Sequence, residues 1–155
     1  MLWLVRHAMV APSADVPAPE WQLTAEGRAD AEELAQSLPR VARVISSPEP
    51  KAVGTAEPIA RACGIAVEVD ERLREVERPT GLHTDYQERV RRYLGGEPLD
   101  GWEPREAARA RVAAALDGLD DAVAVSHGLA ISLYLGDDFD RWRALRFPDV
   151  VQVAR

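Results

Sequence analysis

At 155 residues, with 46% hydrophobic and 29% charged residues, the chain has the size and make-up of a single globular domain over residues 1–155 and is neither disordered nor fibrous in composition. Its net charge of −7 and pI near 5.0 exclude a broad nucleic-acid-binding face, although a few cations in a cleft suffice to hold a small anion. Apolar runs at residues 2–5, 122–125 and 129–135 are too short to span a bilayer, no basic segment leads a long apolar one, and the single Cys63 has no partner for a disulfide or a zinc cluster. A cytoplasmic protein without membrane, nucleic-acid or cofactor partners is therefore expected.

In chain order, strand-like apolar segments at residues 2–5, 41–45, 65–69, 122–125 and 150–153 alternate with helical patterns. Alternation of this kind predicts an α/β fold, a three-layer sandwich with a mostly parallel central sheet flanked by helices. Thr24 is placed to cap a first helix carrying Ala31, Leu34, Ala35 and Leu38 on one face, with Pro39 beyond it. A second helix is predicted over residues 51–62 with Gly64 as its stop, Pro58 being expected to kink it or delay its start. Thr84 and Gln87 resemble a capping box ahead of Tyr86, Val90, Tyr93 and Leu94, and Pro104 is suited to the first turn of a further helix ending near Gly118. Two stretches rich in proline and turn formers, 11–19 and 77–84, read as surface loops beside a site.

The chemistry concentrates at strand ends. Arg6 and His7 follow the first apolar run, and Ser126 and His127 follow the fourth, so two of the three histidines lie where open parallel sheets bind ligands. The segment Leu4-Val5-Arg6-His7 resembles the signature of the histidine phosphatase superfamily, the phosphoglycerate-mutase-like enzymes. Further pieces stand in that family's order: Leu23-Thr24-Ala25-Glu26-Gly27, Ser46-Ser47-Pro48 through Lys51-Ala52 and Thr55-Ala56, Leu73-Arg74-Glu75, and Val125-Ser126-His127-Gly128.

The resemblance implies a phosphatase whose nucleophile is His7, which would carry the phosphoryl group as a phosphohistidine. Arg6 and Lys51 would hold phosphoryl oxygens, with His127 as a further donor when protonated and the Gly128 backbone N–H as another. Glu75 would protonate the leaving oxygen and then activate water, and no metal would be needed. Ser126, outside any nucleophile-elbow context, is expected to make a strand-end hydrogen bond. The chain departs from the family pattern at Ala8, Met9 and Val10 after His7, at Lys51 where an arginine is usual, and at Gly95-Gly96-Glu97-Pro98, which lacks a serine.

The favoured reading is hydrolysis of a small phosphomonoester, with no large closed substrate cavity, because little chain is free to build a cap. A phosphoprotein phosphatase acting on phosphohistidine is the second reading. A catalytically impaired, phosphate-binding regulatory domain, suggested by the departures after His7 and at Lys51, is the third.

Overall fold

The computed structural model describes Met1–Ala154 and holds one five-stranded sheet. In chain order the strands are β1 (Leu2–Arg6), β2 (Arg43–Ser46), β3 (Val67–Val69), β4 (Ala122–Ser126) and β5 (Asp149–Val153). The six α-helices are α1 (Ala25–Ser37), α2 (Pro50–Cys63), α3 (Tyr86–Leu94), α4 (Arg105–Leu116), α5 (Gly128–Leu135) and α6 (Phe139–Ala144). The strand order is β3-β2-β4-β1-β5, parallel throughout except for β5, which runs antiparallel on the edge. This is the expected α/β sandwich, and the five apolar runs account for all five strands.

Alternation along each strand divides the core in two. Leu2 and Leu4 of β1 and Ala122 and Ala124 of β4 pack with Val112, Leu116 and Ile131 of α4 and α5. The intervening Val5, Val123 and Val125 pack on the other face with Ala52, Ala56 and Ile59 of α2. With both faces covered, β4 is buried along its whole length, which is why it reads as an unbroken apolar run. A third cluster, including Val90, Tyr93, Trp102, Leu129 and Trp142, joins α3, α5 and α6 beside the carboxyl edge of the sheet. Among the described residues no helix is long and apolar enough to cross a membrane.

Two local expectations are corrected. The second helix runs through Pro58, starting at Pro50 and ending at Gly64 in the left-handed conformation. The hydrogen bond that Pro58 cannot make is offset by burial of Ala52, Ala56, Ile59 and Ala60 on the sheet. Helix α3 is not capped by Thr84; it starts after Asp85, whose carboxylate is committed to Arg89 at 2.9 Å one turn later.

Candidate active site

The carboxyl ends of β1 and β4 are adjacent, with Val5 opposite Val125 and Arg6 opposite Ser126, so the residues that follow are brought side by side. His7 extends this pairing by donating its backbone N–H to the Ser126 carbonyl at 3.1 Å. All six residues expected to form the site, Arg6, His7, Lys51, Glu75, His127 and Gly128, line one cavity of about 700 Å³. It is large but open to solvent, in keeping with the expectation of no large closed cavity: the loops at 11–19 and 77–84, rather than a helical cap, supply its walls.

The motif residues outside the cavity explain how it is held. Thr24 caps α1 by accepting from the Gly27 N–H at 2.9 Å, and its own N–H donates to the Met9 carbonyl at 3.0 Å. A Cβ on Gly27 would fall 2.3 Å from that same carbonyl, so only glycine lets α1 approach the chain just past His7. Thr55 accepts from the Ala8 N–H at 3.0 Å and donates to the Lys51 carbonyl at 2.8 Å, tying this segment to α2. Ala8 accommodates its Cβ without strain, fully buried with Val10, Leu23 and Ala31. Ser126 makes the strand-end bond expected of it, donating to the Leu73 carbonyl at 2.7 Å.

His7 is set in one tautomer. Its Nδ1 donates to the Ala8 carbonyl at 2.8 Å, which leaves the lone pair on Nε2. Burial, then the neighbouring His127, Lys51 and Arg6, hold its pKa well below 6.5 despite the opposing bond to Ala8, so the ring is neutral at neutral pH. His7 carbon-bound proton resonances are accordingly expected to stay unchanged from pH 8 to about 6 in an NMR titration. A midpoint near the ordinary 6.5 would contradict this environment. Because the folded protein binds this proton less readily than the unfolded chain, the same group withdraws stability as pH falls through 6.5 and costs nothing above it.

Arg6 lies with its guanidinium carbon 3.5 Å from the centroid of the Phe147 ring, and Nη1 donates to the Leu145 carbonyl at 2.8 Å. Its Nε is buried without a partner. Gly128 permits this placement, since a Cβ there would come within 3.0 Å of Arg6 Nη2 and of the Trp142 indole nitrogen. His127 is buried, its ring centroid 5.2 Å from that of His7, and its Nδ1 is also buried without a partner. Of the three such orphaned side-chain atoms among the described residues, two therefore belong to residues that line the cavity of His7.

Residues 2–149 match the histidine phosphatase superfamily (branch 1). The chain belongs to that superfamily. Among solved structures, TTHB049 from Thermus thermophilus is 27% identical, with a TM-score of 0.72 over 99% of this chain and 94% of that one. YhfR from Bacillus stearothermophilus shares the fold at 19% identity, with a TM-score of 0.75 and coverages of 99% and 91%. The mycobacterial glucosyl-3-phosphoglycerate phosphatase Rv2419c does so at 22%, with a TM-score of 0.66 and coverages of 93% and 83%. A comparison with curated proteins finds no match. Membership of the superfamily supports a phosphatase-type activity.

Two features of this histidine phosphatase site escaped sequence reasoning. Glu49, the N-cap residue of α2, is buried and turns its carboxylate into the site: Oε1 lies 3.0 Å from Lys51 Nζ, and Oε2 lies 2.9 Å from His127 Nε2 and accepts the Glu75 N–H at 2.8 Å. Burial alone would raise its pKa, but the hydrogen bond from His127 and the charges of His127 and Lys51 hold it well below the usual carboxylate range. Ser47 Oγ, 2.8 Å from the same His127 nitrogen, completes this shell. Lys51 is committed further by donating to the Ala18 carbonyl at 2.6 Å, so its ammonium is boxed in and reaches the cavity only by sharing.

The second is Arg111 of α4. Its Nε and Nη2 grip both oxygens of Glu103 at 2.7 Å, and it donates to the carbonyls of Arg72, Arg74 and Glu75. Those bonds pin the segment that presents Glu75. Both side chains are nearly buried, at 12% and 10% exposure, so Arg111→Ala is expected to lower the unfolding free energy by about 2–4 kcal/mol in urea denaturation. A loss within about 0.5 kcal/mol would mark the pair as an ordinary surface contact.

Glu75 itself is placed differently from the proton donor expected of it. Its two oxygens accept from the backbone N–H groups of Val76 at 2.8 Å, Leu129 at 3.1 Å and Ala130 at 2.9 Å, capping the first turn of α5. In this arrangement the carboxylate is an acceptor.

Among the lining residues the charged groups balance: Arg6, Lys51, Arg74 and Arg78 stand against Glu49, Glu71, Glu75 and Glu77.

Proposed function

We propose that this protein is a phosphoric monoester hydrolase working through a phosphohistidine on His7. One observation carries the reading: a neutral imidazole with its Nε2 lone pair unused shares its cavity with the residues that hold two buried, unpartnered nitrogens, Arg6 Nε and His127 Nδ1. Such nitrogens suit the equatorial oxygens of a phosphoryl group, and the edge of Arg6 formed by Nε and Nη2 suits two of them at once. The Gly128 N–H, at the first turn of α5, is a further donor, since the Leu129 and Ala130 N–H groups are taken by Glu75.

In the first step His7 Nε2 forms a bond to phosphorus as the bond from phosphorus to the ester oxygen breaks, and the departing oxygen keeps the electron pair. His127 supplies the proton for that oxygen. Glu49 accepts from its Nε2, so a protonated His127 presents its second proton on Nδ1. In the second step Glu75 takes a proton from water, the water oxygen binds phosphorus, and the nitrogen–phosphorus pair returns to His7 Nε2, releasing inorganic phosphate. Lys51 contributes charge from behind Glu49 rather than a direct grip.

The test is to mix protein and ³²P-labelled phosphomonoester in EDTA, quench in alkali and look for an acid-labile, base-stable label on His7. Its absence during turnover overturns the mechanism; no hydrolysis of any phosphomonoester would favour the phosphate-binding regulatory reading. If Glu75 is the base of the second step, Glu75→Gln slows dephosphorylation by about 10²-fold or more and makes the labelled protein accumulate. A slower labelling step with no accumulation would return Glu75 to the first step.

A further inference from the structure

We infer that the substrate of this site carries a single phosphoryl group on a bulky apolar, ring-bearing alcohol, because the walls above His7 are aromatic and aliphatic while the lining arginines and lysine are equalled in number by glutamates. The inference rests on the phosphatase reading and names its substrate class. A cavity of about 700 Å³ has the size of a pocket for a drug-sized molecule, and a phosphoryl group with a two- or three-carbon body would leave most of it empty. Above the polar floor the walls are Met9, Trp21, Pro79, Tyr86 and Phe147.

These walls are fixed in place. The Trp21 indole N–H donates to the Val16 carbonyl at 2.8 Å, which satisfies its one polar atom within its own loop and leaves the ring to be covered by a ligand. Phe147 is backed by Arg6, and Tyr86 by the Arg78 guanidinium at 4.8 Å. Met9 stands 43% exposed at the position two residues after the nucleophile, a large apolar side chain in water unless something covers it. A substrate with a second phosphate or a carboxylate needs surplus cations, and the lining is short of them: Arg6, Lys51, Arg74 and Arg78 are equalled in number by Glu49, Glu71, Glu75 and Glu77, which leaves a protonated His127, already assigned to the phosphoryl group, as the excess.

The experiment compares primary-alcohol phosphates of similar leaving-group basicity: ethyl, benzyl and naphthylmethyl phosphate, with phosphoglycolate as the small competitor that adds a carboxylate to the phosphoryl group. From ethyl to naphthylmethyl phosphate kcat/KM is expected to rise by at least about 10-fold, the worth of burying one ring, with phosphoglycolate the poorest. Trp21→Ala should shrink the naphthylmethyl-to-ethyl ratio by about 5-fold or more, and Trp21→Phe should restore part of it. Equilibrium binding of naphthylmethylphosphonate against methylphosphonate gives the same ratio without turnover and covers a variant that folds poorly. A flat series, or phosphoglycolate as the best substrate, while label still forms on His7, overturns the substrate class and leaves the chemistry standing. Failure to label His7 with any of them, together with equal phosphonate affinities, overturns both.

Discussion

His7→Ala is expected to abolish the covalent phosphoprotein and to lower kcat by at least about 10³-fold with every phosphomonoester, the scale on which loss of a nucleophile is felt when no other group can replace it. The candidates for replacement are few and badly placed. Ser126 has its hydroxyl committed to the Leu73 carbonyl, Ser47 faces His127, and Thr55 is tied to Ala8 and Lys51. His127, though adjacent, has its Nε2 held by Glu49 and Ser47, and in the protonated form that the first step requires its Nδ1 has no lone pair to offer. Phosphate affinity should survive in the variant, because Arg6 and His127 remain; binding without turnover, measured calorimetrically with inorganic phosphate, separates loss of the nucleophile from loss of the fold. Label persisting in His7→Ala would move the nucleophile elsewhere.

What the sequence revealed and what it concealed follow from the range of the interactions involved. Short apolar runs ending in Arg6-His7 and Ser126-His127 are local signals, and parallel pairing of β1 with β4 converts them into one site. Gly27, Thr24 and Thr55 likewise lie in recognisable motifs, although their purpose, holding the chain past His7, becomes visible only with the Met9 and Ala8 contacts. Glu49 was illegible for a different reason. Its partner His127 lies 78 positions away, and only the neighbouring placement of β2 and β4 carries the end of one strand to the end of the other. A sequence clue existed, an acid two residues before the only lysine, but an N-cap carboxylate is so often an exposed helix cap that nothing marked it as buried. Arg111 is similar: a charged residue on a surface-facing helix pattern that spends three of its five hydrogen bonds on the backbone that carries Glu75 and two on Glu103.

Glu49→Gln is expected to split the kinetic constants: kcat falls by about 10²-fold while inorganic phosphate binds more tightly. The carboxylate does two opposed things. It holds Nε2–H of His127, so that the further proton of the proposed donor would sit on Nδ1, and loss of a carboxylate in this position on a histidine acting in proton transfer is costly to turnover. At the same time it is a buried anion in a site for an anion, drawing Lys51 and His127 toward itself. Glutamine keeps the shape and removes the charge, so the two cations are left with one less partner and turn to the ligand. The unliganded variant should therefore be less stable than the parent, by about 2–4 kcal/mol as for other buried pairs broken on one side, and phosphate should recover more stability for it than for the parent. Thermal unfolding with and without phosphate measures both. In the parent, the depressed carboxyl supplies stability above its unfolded value of 4.5 and loses it as pH falls below that, a dependence the variant should lack. If kcat and phosphate affinity fall together, Glu49 is a scaffold for Lys51 alone and the proton on His127 is set by Ser47.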